Sequence, residues 1–354
     1  MVTIAVTMSL LAFFTGKVVG YPLRDPDGFL GPAWVRLPLL LLGAFAVDIV
    51  PRTLWRSRGR VTRFYAEARL LVREHWTRER ITLVVVGLLS FYATYVSYRN
   101  LKNFLVFVRG HQTRQGDYEL HKLDRWLLFG HDPGVILHSL LGTTVSAQLL
   151  SAVYLFFLPM VPISVTVWLV WSRNVSFGYW FVTAQCIAWS LGTASYYMIP
   201  TMGPNFAFEW IYQGVNDSGA GSLVNALWWG RYSVMHDPMN TTGVQSVAGF
   251  ASLHVAITLM MALIGQYTLR HRVFKVTLWV YMGVTTLSTT YFGWHYIADD
   301  IMGALIAFVA FYVGGIATGQ RFDAHGRHSH PTTTTKDVPV ERDDRQESLS
   351  PSGG

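Results

Sequence analysis

Apolar residues in this 354-residue chain come in runs of about twenty, separated by short polar links. Runs at 3–20, 33–51, 81–98, 148–171, 177–199, 251–268, 275–293 and 296–317 predict eight membrane spans. At 1.5 Å per residue, about 20 residues of helix cross a hydrocarbon core of about 30 Å. The first run is the weakest, being short and broken by Lys17. The fold class expected is all-α, a polytopic membrane helix bundle.

The polar links give an orientation. Residues 52–80 hold nine arginines and three glutamates. They read as a basic amphipathic segment that lays Phe64, Leu70, Leu71 and Trp76 on the membrane. The link 270–275 and the start of the tail at Arg321 are also basic. Lysine and arginine accumulate on the cytoplasmic side, so all three belong there, and eight spans then put both chain ends inside. The stretches 99–147 and 200–250 face outward. Within the first, Gly130, Pro133 and Gly134 break the chain into short interfacial helices over 117–146. Arg99, Lys102, Arg109, Arg114, Lys122 and Arg125 stand on the outer side against the rule, which phosphate binding there would explain. Three regions follow: two spans and the basic segment at 1–80, a membrane domain at 81–319, and a disordered polar tail at 320–354. No internal repeat is visible.

Composition narrows the class. Charged residues make up 14% of the chain, against about 25% in a soluble domain. The net charge of +7 raises the question of nucleic acid. The basic residues cluster beside the spans, which points to membrane lipids and against nucleic acid. The single cysteine, Cys186, rules out a disulfide framework. No cleavable signal peptide is expected, because no basic region precedes the first apolar run.

Two short motifs carry candidate chemistry. Ala251-Ser252-Leu253-His254-Val255-Ala256 opens one apolar run, and Gly293-Trp294-His295-Tyr296-Ile297-Ala298-Asp299 opens another. Ionisable groups at membrane depth are costly and mark functional sites. His295 and Asp299 are four residues apart, so a helix puts them on one face. A carboxylate there holds one imidazole nitrogen and makes the other a better nucleophile. His295 is the candidate nucleophile, Asp299 its orienting partner and His254 the acid that protonates a leaving oxygen. Arg99 and Lys102 are candidates to hold phosphate from an outward span end. Tyr196, Tyr197 and Thr201 are further candidates beside the helix-breaking segment 200–204. Asp300 points about 100° away from Asp299, toward another surface or a polar partner. His325, His328 and His330 lie in the polar tail and read as solvated. Trp228 and Trp229 read as interfacial anchors. Asp48 is expected to reach the interface beside Arg52.

At these motifs the chain resembles the type 2 phosphatidic acid phosphatase superfamily, and within it the inositol phosphorylceramide synthase-like branch. Ser-Leu-His-Val-Ala and Gly-Trp-His-Tyr-x-x-Asp match that branch, which carries such motifs on the fourth and sixth helices of a six-helix core. Residues 98–102 and 123–130 also look like bacterial members. The resemblance covers roughly 81–317. It implies that His254, His295 and Asp299 form a triad working through a phosphohistidine intermediate, without metal or cofactor. The chain departs from the phosphatase branch. Lys-x6-Arg-Pro is missing, Thr289 replaces an arginine, and Ala251 and Leu253 stand where that branch has proline and glycine.

The resemblance implies a phosphotransferase in the cell membrane that moves a phosphate-containing headgroup between lipid-linked substrates at the extracytoplasmic face. A lipid phosphate or polyprenyl diphosphate phosphatase of the same superfamily is the alternative. Outside it stand a transporter or lipid-binding protein with a histidine proton relay, and a zinc site built from His254, His295 and Asp299.

Overall fold

The computed structural model describes residues 1–27, 33–215, 217–241, 244–322 and 332–333. It is a helical bundle. Eight long helices coincide, within a few residues at most ends, with the eight apolar runs: α1 (Val2–Val19), α2 (Ala33–Ser57), α4 (Arg78–Arg109), α7 (Val145–Trp171), α8 (Val175–Met198), α11 (Leu253–Thr268), α12 (Arg272–Tyr291) and α13 (Ile297–Ala317). By length and apolar composition, α1, α2, α4, α7 and α13 can each cross a membrane, and α11 is apolar but shorter. Shorter helices join them: α3 (Val61–His75), α5 (Thr113–Leu127), α6 (Pro133–Leu141), α9 (Pro204–Ala207) and α10 (Gly219–His236). Among the described residues the only strand pairing is a two-residue bridge between Gln320–Arg321 and Thr332–Thr333. The rest of the expected tail, with His325, His328 and His330, lies outside the described residues.

Helix α8 sits at the centre and packs on α4, α7, α11 and α13. Lipid is as apolar as leucine, so helices in a membrane associate through close packing at small residues. Two glycines do this beside the histidine motifs. A Cβ on Gly192 of α8 would lie 2.5 Å from Leu253 Cδ2, and one on Gly303 of α13 would lie 2.4 Å from Ser252 O. Both therefore let a helix press against the turn that starts α11. The Ser252 side chain accepts from Val255 N and caps α11.

Four expectations change. The third span was set at 81–98, but α4 continues unbroken to Arg109. Arg99 and Lys102 therefore lie within a helix rather than at its outward end, and they face a protein-lined cavity. Leu71 and Trp76 do not lie on the membrane surface: both are buried, and Trp76 Nε1 donates to Asp48 at 2.9 Å. Asp48 does pair with Arg52 at 3.0 Å, but it is fully buried rather than interfacial. The loop expected at 200–250 contains α10, whose Trp228 and Trp229 are exposed.

Candidate active site

The two histidines meet at one end of the bundle. α11 runs away from His254, α12 returns, and α13 starts beyond His295, so both motifs lie at the same level. Their ring centroids are 5.9 Å apart. Ser252 N donates to Asp299 O at 2.9 Å and ties the two motifs together through the backbone.

Asp299 does two jobs. Its Oδ2 faces His295 Nδ1 at 3.3 Å and accepts from Tyr296 N at 3.0 Å. The second contact caps α13, because a side chain at the third helical position reaches back to the N-cap amide. The first holds the imidazole. With Nδ1 turned to the carboxylate, Nε2 is the nitrogen that carries the lone pair. Burial pushes the His295 imidazole down to about 4, which keeps it neutral at physiological pH. Asp299 Oδ1 is buried without a protein partner.

His254 is clamped by rings. It stacks on Tyr154 at 4.5 Å and lies 4.2 Å from Phe157, while Trp294 stacks on the far side of Tyr154 at 5.2 Å. These aromatic faces fix the ring plane and keep bulk water from that side. Asp300, as its position on the helix implied, turns to polar partners: it accepts from Thr289 and Thr290 hydroxyls, both at 3.2 Å.

Both predicted cations border the same cavity, which is about 840 Å³ and lined by His254 and His295. Lys102 Nζ lies 3.3 Å from Tyr98 Oη and 5.0 Å from the Tyr196 ring centroid. Arg99 lies over the Tyr95 ring, and its buried Nε has no hydrogen-bond partner. Among the described residues neither cation pairs with a carboxylate, whereas Arg36, Arg52 and Arg56 do. Buried donors are normally satisfied, so an unpaired Arg99 Nε next to a second cation suits an anion. The structure does not bring Tyr197 to this place. Its hydroxyl donates to Leu101 O at 2.6 Å, and Tyr196 lines the cavity instead. Among the described residues no three histidine, cysteine or acidic groups are placed to hold a metal ion, and the His254, His295 and Asp299 set is not such a group.

Sequence reasoning missed two residues that position the site. Asp117 and Asp124 stand seven apart on one face of α5 and are both buried. Asp117 accepts from Met202 N, Gly203 N and Tyr296 Oη, the last at 3.0 Å. Asp124 accepts from Ile297 N at 3.2 Å, the first amide of α13. One aspartate thus holds the 202–203 segment against the residue after His295, and the other sits where a helix N-terminus favours negative charge. The 200–204 segment is held from several sides, and its Met202 borders the cavity. Thr201 receives Gly249 N and Phe250 N, and Asn205 donates to Phe292 O. Gly203, at φ 105°, has Trp294 O 2.5 Å from where a Cβ would stand. The signal that could have found the aspartates was their seven-residue spacing in an otherwise amphipathic segment.

Taken together the site offers an imidazole held by a carboxylate, a ring-clamped second histidine and two cations without a carboxylate partner, all bordering one cavity of about 840 Å³. The family model described as the PAP2 superfamily matches residues 118–313 of this chain. No curated protein and no solved structure matches it.

Proposed function

The chain belongs to the PAP2 superfamily, of lipid phosphatases and phosphotransferases, and on that premise we propose that it transfers a phosphate-containing headgroup between lipid-linked substrates by way of a phosphohistidine. His295 Nε2 forms the bond to phosphorus as the bond from phosphorus to the leaving oxygen breaks, and His254 gives that oxygen its proton. In the second half, the hydroxyl of an acceptor gives its proton to His254 and takes the phosphoryl group from His295, which regenerates both rings. Arg99 and Lys102 neutralise charge on the phosphoryl oxygens.

The observation that carries this reading is the meeting of two unpaired cations and the His295–Asp299 pair at the polar end of one apolar cavity. Transfer to an alcohol is favoured over hydrolysis by the surroundings of His254. Tyr154 and Phe157 make an apolar flank that a lipid-borne hydroxyl enters more easily than free water. At position 289, a threonine bonded to Asp300 stands where the phosphatase branch has a cation.

Purified protein in lipid nanodiscs should move the phosphoryl group of a lipid phosphate onto an added long-chain alcohol in preference to water. Arg99→Ala and Lys102→Ala should each lower kcat/KM by about tenfold or more, since a charged hydrogen bond is worth about 1.5–3 kcal/mol. Absence of transfer to either acceptor would sink the reading. Wild-type kinetics in both variants would move the phosphate clamp elsewhere.

The extracytoplasmic placement rests on the basic residues at 52–80 and 270–275 at the opposite end of the bundle. A cysteine introduced at the exposed Asn240 should react with an impermeant thiol reagent in intact cells, and one at His271 should not. Labelling confined to the His271 position reverses the orientation.

A further inference from the structure

The cavity continues far beyond the histidine pair. From its polar end it runs between α4 and α7, with α2 along its side. Its wall on α4 extends from Lys102 to Val84, about 27 Å of helix, and on α7 from Tyr154 to Val170, about 24 Å. The hydrocarbon core of a bilayer is about 30 Å thick, so one leaflet is about 15 Å. The cavity therefore passes the bilayer midplane. Its far half is walled by Ala44, Val84, Leu88, Val165 and Leu169, with the hydroxyl of Thr166 among them.

We infer that this cavity receives the single hydrocarbon chain of a lipid phosphate whose chain is longer than one leaflet. The inference rests on the phosphotransferase reading of the polar end and adds the shape of the lipid it serves. Continuity with the site fixes where the phosphate sits, and the apolar run below it fixes where the chain goes. The tails of a two-chain phospholipid end near the midplane and leave the far half unfilled. Of the three walls, α2 and α4 precede the matched residues 118–313, and α2 lies outside the six-helix core as well. Entry is between α2 and α7, where Leu40 and Leu158 line the cavity and are also exposed.

The physical basis of selection is packing. The bilayer interior is as apolar as the cavity wall, so moving a chain from one to the other gives little hydrophobic gain. The wall is denser than liquid hydrocarbon, and each added carbon finds more atoms at contact distance. About ten extra contacts at 0.1–0.2 kcal/mol each correspond to about tenfold in affinity.

The test is a chain-length series with the full-length protein in nanodiscs of one lipid composition. The probes are farnesyl monophosphate, whose chain ends within one leaflet, undecaprenyl monophosphate, whose chain does not, and dioleoyl phosphatidic acid. The expected kcat/KM for undecaprenyl monophosphate is about tenfold above that for farnesyl monophosphate, with phosphatidic acid no better than farnesyl. Thr166→Trp and Leu88→Trp each place a ring across the far half and should bring the undecaprenyl-to-farnesyl ratio down toward one. Equal rates in the wild type, a preference for phosphatidic acid, or a ratio that both plugs leave unchanged overturns the inference and leaves the phosphotransferase reading standing. Turnover of none of the three probes removes both. The wild-type series decides alone if neither variant folds.

Discussion

Replacing His295 with alanine is expected to abolish turnover of every phosphate substrate, whatever its leaving group. No other side chain at the polar end is both nucleophilic and held by a carboxylate, so the covalent step has no substitute. His254→Ala should behave differently. Its role is to move a proton to and from oxygen, and that role matters least when the leaving oxygen needs no proton. A substrate with an activated phenolic leaving group should therefore restore the first half-reaction in His254→Ala but not in His295→Ala. The second half-reaction still needs a base, so a phosphoryl group should accumulate on His254→Ala protein and be trapped as an acid-labile, base-stable label. Equal response of the two variants to the activated substrate would mean that acid and nucleophile are wrongly assigned. Full activity in both would move the chemistry away from this end of the bundle.

Asp299→Asn is the second large effect, expected at about four orders of magnitude in kcat, as when an orienting carboxylate is neutralised in a triad. The loss should be chemical rather than structural. The asparagine oxygen can still accept from Tyr296 N and cap α13, so thermal unfolding in detergent should change by no more than about 1 kcal/mol, the usual worth of a cap. It cannot stabilise positive charge on His295, and it invites the wrong tautomer. The neighbouring Asp300 is equally buried but faces Thr289 and Thr290, and Asp300→Asn serves as the contrast. A loss below tenfold in Asp299→Asn, with stability unchanged, would reduce Asp299 to a helix cap.

Much of this was legible in the chain itself, and the reasons differ by element. The apolar runs became helices because backbone groups in lipid must be satisfied within the segment. The two histidine motifs stood out because ionisable groups are rare at that depth. The end of α4 was misplaced because hydropathy counts charge without direction. Arg99 and Lys102 looked like a boundary, yet they sit inside the helix and face inward. Leu71 and Trp76 read as membrane-facing for the mirror reason: an apolar residue on an amphipathic helix can face lipid or protein, and Asp48 decided it for Trp76. Asp117 and Asp124 showed only a seven-residue spacing, and their role stayed hidden for a deeper reason. Their partners, Tyr296 and Ile297, are more than 170 residues away, and nothing local distinguishes a buried aspartate that waits for a distant amide from one that is solvated. Tyr196 and Tyr197 were equal candidates because sequence alone does not give helix rotation, and one residue turns the ring by about 100°.

The apolar far half of the cavity has an electrical meaning. A passage that crosses most of a bilayer would short-circuit the membrane if protons could step along it, at about 2.3 kcal/mol per charge for every 100 mV. Here the last stretch offers no stepping stone. Between Tyr154 and Trp171, α7 carries no titratable side chain. Beyond it, the indoles of Trp76 and Trp171 both donate to Asp48, and Arg80 donates to the carbonyls of Leu169 and Ser172 at the end of α7. Asp48 and Arg80 at that threshold are each held by groups of other elements. An α7 wall without titratable groups, bordered by charges so held, gives protons no relay along a seated lipid chain.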